Sequence, residues 1–294
     1  MKKTFSIILL LIICAMLYGC SADSGGELII GTKDFTEQHI LGYILASYIE
    51  ANTDISTSVI KDLSSDVIFA GLRTGVVDLY VEYTGTIYSN YFSFAYPTVP
   101  GEVLRITSSV IAENYGLYMF NPLGFNNSFE LAIQRSMAFS HNIWTISDLA
   151  TISRDLIIGG ASEFMRRNDG LPNLKLIYDL TFKEELFIDH ADRYRAISED
   201  EIQVTEVFRT DGALLSYDLF VLDDDKNFFP PYQGVIITRE EILDSHPQLR
   251  SLLSALSGLI TDAVMRNLNY RVDILGENPQ YVAESFLKEN NLIP

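Results

Sequence analysis

Cysteine is almost missing from this chain: its 294 residues hold two, Cys14 and Cys20. Cys14 falls inside the leader that the N-terminus predicts, so the mature chain has no disulfide and its stability must come from its core. Histidine is equally thin. The four, His39, His141, His190 and His246, are far apart and show neither H-E-x-x-H spacing nor cysteine partners, so no metal site is expected. No G-x-S-x-G elbow occurs, and Gly31, Gly159 and Gly160 do not form a phosphate loop, so no nucleotide or other cofactor is expected. Beyond the N-terminus no run is long and apolar enough to cross a bilayer. Basic residues are scarce, 21 Lys and Arg against 39 Asp and Glu, for a formal net charge of −18. Loss of Lys2 and Lys3 with the leader takes that value down by two, to −20. Such a surface repels nucleic acid and anionic lipid, which excludes both as partners.

What is present begins with a secretory leader. Lys2 and Lys3 precede an apolar run over 5–17, and Gly19-Cys20 follows. A cysteine just after the cut is similar to a bacterial lipoprotein signal, which makes 1–19 the signal peptide and Cys20 the lipid-bearing first residue. The small polar stretch 20–26 then serves as a tether. With 48% hydrophobic residues, the remainder is amply able to bury a core.

Apolar periodicity alternates short strands with helices, the pattern of an α/β protein. Strands are predicted at 28–31, 77–83, 156–159, 203–208, 218–222 and 234–238, and helices at 38–51, 67–73, 103–115, 249–264 and 279–290. The first helix is expected to turn Ile40, Tyr43, Ile44 and Ser47 to one face. Ser64-Ser65-Asp66 and Ser147-Asp148 read as helix caps, and 160–167 as a turn. Two turn-rich passages, near 121–127 and 227–233, bracket the middle third. A chain that crosses twice between two lobes would look like this, with 27–126 and 232–294 in lobe I, 127–231 in lobe II, and a ligand cleft between.

The segment GTKDFTEQ puts Lys33, Asp34 and Thr36 at the carboxyl end of a strand, where ligands sit in α/β folds. Downstream, DLYVEYTGTIYSNY gathers Tyr80, Tyr83, Tyr88 and Tyr91 around a Thr-Gly-Thr turn. Ring faces suit an organic cation that must shed its water. Glu184-Glu185 and Asp223-Asp224-Asp225 read as solvated faces beside no nucleophile, so catalysis is not predicted. A tethered acidic adhesin or scaffold remains the other class, and a thermal-shift screen separates it from a binder.

The ordered series GTKDFTEQ, DLYVEYTGT, NPLGFNNSFELAI, TISDLA, GGASEFMRRNDG, VFRTDG and YDLFVLDDDKNFFPPYQG resembles the substrate-binding proteins of ABC importers for glycine betaine, choline and related quaternary amines. The similarity runs over about 28–293. It implies a two-lobed, type II periplasmic-binding-protein fold that captures its solute by closing and hands it to a membrane permease. It also implies an aromatic cage of Tyr83, Phe129, Phe208 and Tyr232, of which Phe129 and Phe208 are usually tyrosine in the family. Lys33, Thr86 and Arg167 would anchor a carboxylate, with Glu163 at the same lip. Asp66 either caps its helix or accepts a bond from choline's hydroxyl, so Lys33 and Asp66 point to different solutes. The physics agrees with rings. A quaternary ammonium has no N–H to donate, and each ring face contributes roughly 0.5–2 kcal/mol to holding it.

Overall fold

The computed structural model describes residues 27–91, 100–190 and 192–294; the leader, the tether and Cys20 lie outside them. Among the described residues, two five-stranded mixed sheets organise the chain. The first contains β1 (Leu28–Lys33), β2 (Thr57–Leu63), β3 (Leu79–Tyr83), β4 (Leu117–Met119) and β10 (Gly234–Arg239), in the order β2-β1-β3-β10-β4. The second contains β5 (Phe129–Gln134), β6 (Ile157–Gly160), β7 (Glu184–Phe187), β8 (Val204–Phe208) and β9 (Leu219–Val221), in the order β7-β6-β8-β5-β9. The two orders are equivalent. In each, three strands run parallel and the strand that enters from the other sheet inserts antiparallel as the fourth. No sequence repeat signals this, because topology is shared while side chains are not.

Sheet one packs under a sandwiched helix. Thr36–Asn52 starts earlier than its periodicity suggests and buries Ile40, Leu41, Ile44, Leu45, Tyr48 and Ile49. Tyr43 and Ser47, expected on the core face with Ile40 and Ile44, are only half-buried. The reason is that the helix has neighbours on two sides: β1 and β2 on one, the Asp262–Asp273 and Pro279–Glu289 helices on the other. The span 249–264 is not one helix. Gln248–Ser254 ends, the chain turns through Gly258 at φ +75°, and Asp262–Asp273 begins with Thr261 accepting the Val264 N–H. Likewise the cap proposed at Ser147-Asp148 sits earlier. Thr145 is the N-cap and Asp148 its reciprocal partner, a complete capping box. The turn expected at 160–167 contains a short helix, Ser162–Arg166.

Two segments join the sheets, one from β4 to β5 and one from β9 to β10, and they hydrogen-bond to each other. Asn126 and Gln233 form an antiparallel bridge, and the Asn127 N–H donates to the Tyr232 carbonyl at 2.9 Å. Strand β3 runs into a single helical turn, Thr84–Thr86, which clamps this crossing. The Thr84 hydroxyl donates to the Pro231 carbonyl (2.9 Å) and accepts from the Gln233 N–H (3.1 Å).

Candidate functional site

A cavity of about 950 Å³ opens between the two sheets at their strand ends. Lys33 reaches it from the end of β1 and Tyr83 from the end of β3. Phe129 and Phe208 come from the paired ends of β5 and β8, and Tyr232 from the second crossing. Thr86, Glu163 and Arg167 line it as well. Asp66 does not. It is exposed on the first turn of Ser65–Thr74, and Ser64 and Ser65 meet the cavity from that helix end. A smaller hollow of about 510 Å³ around Met137, His141 and Ile152 shares no residue with this cleft.

Each ring is held in a different way. Tyr232 is 6% exposed and its ring lies over Gly85 of the Thr-Gly-Thr turn; a Cβ there would sit 2.8 Å from three ring carbons. Its hydroxyl accepts from the Arg167 Nη2 (2.7 Å) and donates to Asp169. Arg167 grips the Asp169 carboxylate with Nε at 2.7 Å and Nη2 at 2.6 Å, and its guanidinium lies 5.9 Å from the Phe129 ring centre. Burial alone would raise the Asp169 carboxyl, but the Arg167 fork outweighs it and holds the group below its ordinary range. Exposed Glu163 stands 3.5 Å from Arg167.

Phe129 and Phe208 face each other across the β5–β8 ladder and stack, with centroids 4.8 Å apart at 26°. His190 stacks on Phe208 at 5.4 Å. Burial and the neighbouring Arg193 guanidinium push the His190 imidazole down to about 4, so it is neutral at physiological pH. Arg193, 2% exposed, lies beneath with Glu206 at 3.0 Å and Asp211 at 2.5 Å.

Lys33 is buried, and its ammonium meets Glu82 at 2.5 Å while lying 5.1 Å from the Tyr83 ring centre. Its charge is thus largely balanced from within. Tyr83 donates its hydroxyl to Glu37 at 2.8 Å. Glu37 is 3% exposed and also accepts from the Asn127 and Asn269 side-chain amides, each at 2.9 Å. Burial raises the Glu37 carboxyl above its ordinary range, partly offset by a hydrogen bond from the Thr210 side chain and by those from Asn269, Tyr83 and Asn127. The same charge, added to burial, drives the Tyr83 phenol well up.

Glu37 and Asn127 sat within motifs read from the sequence, GTKDFTEQ and GFNNSF, without being singled out. His190, Arg193 and Asn269 carried no local signal, since only topology brings them to the cleft. Among the described residues, no cluster of His, Cys, Asp or Glu is arranged to hold a metal, and no helix is long and apolar enough to cross a membrane.

Residues 26–289 match the family model "Substrate binding domain of ABC-type glycine betaine transport system". The chain is 30% identical over 302 residues to the carnitine transport binding protein OpuCC of Listeria monocytogenes, covering 99% of this chain and 98% of that one. It is 34% identical over 266 residues to the ergothioneine transport permease/ergothioneine binding protein EgtU of Helicobacter pylori, covering 90% of this chain but 48% of that one. This chain therefore spans about half the length of the Helicobacter protein. A crystal structure described as a glycine betaine/carnitine/choline ABC transporter superposes with a TM-score of 0.84 at 30% identity, covering 90% of this chain and 99% of the other. The fold is the two-lobed, type II periplasmic-binding-protein fold, and the family is one of transport proteins rather than enzymes. With the match spanning both sheets and both crossings, the chain belongs to the substrate-binding domain family of ABC-type glycine betaine transport systems.

Proposed function

We propose that the cleft captures a small quaternary ammonium compound, such as choline, glycine betaine, carnitine or a larger betaine, outside the cytoplasmic membrane and delivers it to an ABC permease. The observation that carries this reading is that Tyr83, Phe129, Phe208 and Tyr232 line one cavity from both sheets and from the crossing between them. Rings desolvate a methylated nitrogen at little cost, whereas its missing N–H removes the advantage of carboxylates and carbonyls. Arg167, with Thr86 and Lys33 lining the same cavity, is the group for a ligand carboxylate. The lobes 27–126 with 232–294 and 127–231 would close on the ligand because only the closed form contacts it from both sides. Cys20 would carry the lipid that keeps the protein at the membrane.

The test is a thermal-shift series on the delipidated protein with choline, glycine betaine, carnitine, proline betaine and ergothioneine. A ligand at a hundred times its Kd adds about 2.7 kcal/mol of stability. A rise in Tm with one or more of these, and none with glycine or ethanolamine, supports the reading. No shift with any quaternary amine overturns it.

A further inference from the structure

We infer that Glu37 is a specificity residue of this cleft: its carboxylate makes the Tyr83 ring face negative, so that the site distinguishes a quaternary ammonium from an uncharged group of the same shape. The inference rests on the reading of the cleft as a quaternary-amine site. Three observations on this chain carry it.

First, every donor to Glu37 is neutral. One carboxylate oxygen takes the Tyr83 hydroxyl and the Asn127 amide, the other the Asn269 amide, and the Thr210 hydroxyl also bonds to the group. Second, the cations of the cleft are already matched: Lys33 by Glu82, Arg167 by Asp169, and Arg193 by Glu206 and Asp211. Among the described residues no cation pairs with Glu37, so the charge of its ionised form, which burial disfavours, is left for a bound cation to balance. Third, the contrast with the other cage tyrosine is sharp. Tyr232 also donates to a carboxylate, Asp169, but that group is neutralised by the Arg167 fork. Among the four cage rings as described, Tyr83 alone is coupled to a carboxylate that no Lys or Arg pairs with.

A phenol that donates to a carboxylate is polarised, and electron density moves toward its ring. The effect adds to the direct Coulomb attraction across a wall of low dielectric. The Lys33 ammonium, held by Glu82, lies 5.1 Å from the centre of the same ring, so the ring already has a cation for a neighbour.

Calorimetry with two isosteric pairs tests the assignment: choline with 3,3-dimethylbutan-1-ol, and glycine betaine with 3,3-dimethylbutanoate. In each pair the nitrogen is replaced by carbon and the shape is kept. Glu37→Gln should weaken the ammonium member about tenfold and leave its carbon isostere unchanged. The substitution keeps the shape of the side chain and one acceptor oxygen for the Tyr83 hydroxyl and the Asn127 amide. Tyr83→Phe, which keeps the ring and breaks the link, should shift the same ratio in the same direction, and it decides the matter if Glu37→Gln fails to fold. Equal losses for both members of a pair, or no loss for either, overturn the assignment while leaving the cleft reading standing. Wild-type protein that binds neither ammonium compound overturns both.

Discussion

The Tyr232 ring and Gly85 occupy mutually exclusive space. Residue 85 must be glycine for the ring to lie where it does, since any Cβ would come within 2.8 Å of three of its carbons. The Thr-Gly-Thr turn that ends β3 is therefore a seat for an aromatic ring contributed by a segment 147 residues further on (Thr84 to Pro231 by hydrogen bond).

Gly85→Ala should displace Tyr232 and break its contacts with Arg167 and Asp169. The expected cost is about 1–3 kcal/mol of stability, the usual effect of overfilling a packed site. Ligand affinity should fall with it. Parallel denaturant melts and ligand titrations measure both, and unchanged values in the alanine variant would show that the ring relaxes freely.

Tyr232→Ala should weaken quaternary-amine binding by about 1–3 kcal/mol through loss of the ring and its packing. Tyr232→Phe keeps the face and loses only the hydroxyl bridge to Arg167 and Asp169, so its effect should be the smaller of the two. Calorimetry that ranks them in the opposite order would place the hydroxyl, not the ring, at the centre of recognition.

Asp66→Ala should leave affinity for choline and for glycine betaine alike untouched, because Asp66 is exposed and outside the cleft lining. What it should lose is a favourable charge at a helix N-terminus, about 0.3–1 kcal/mol. A selective loss of choline binding would return Asp66 to the site.

His190 predicts a pH dependence. Its imidazole is pushed from 6.5 to about 4 in the folded protein. Between those values the unfolded chain binds a proton that the folded chain lacks. The stability tied to the neutral ring is therefore fully present above about pH 6.5 and is lost progressively as pH falls toward 4. His190→Gln removes the group, so its Tm should drop less than that of the wild type between pH 7.5 and 5, and equal drops would contradict the assignment.

Much of the architecture was legible because it rests on local patterns. Periodicity located β1, β3, β8 and β10 within two residues or so, and the two turn-rich passages marked where the chain changes sheet. Strand β5 was missed although Phe129 begins it, since the run FELAIQ is short and mixes one charge into its apolar residues. Edge strand β7 carries Glu184 and Glu185, whose exposure hides strand character behind charge. At the cleft, aromatic residues in turn motifs could be picked out, but their hydroxyl partners could not. Asp169 lies two residues from Arg167 and still gave no signal, because the fork depends on how the chain bends after Ser162–Arg166. Glu37 precedes the predicted helix start at 38 and carried no signal of its own; the Asp262–Asp273 helix, through Asn269, and the first crossing, through Asn127, close over it.

The bridge between Asn126 and Gln233 ties both connectors into one narrow ribbon, so neither can slide past the other. Any swing of the halves must then pivot about that ribbon. Tyr232 sits beside that ribbon, its N–H donated to the Asn126 side chain, while exposed Glu163 is carried on the short Ser162–Arg166 helix. A substitution that disturbs the ribbon should therefore be felt on both sides of it, through the Tyr232 N–H that Asn126 accepts and through the Thr84 clamp on Pro231 and Gln233.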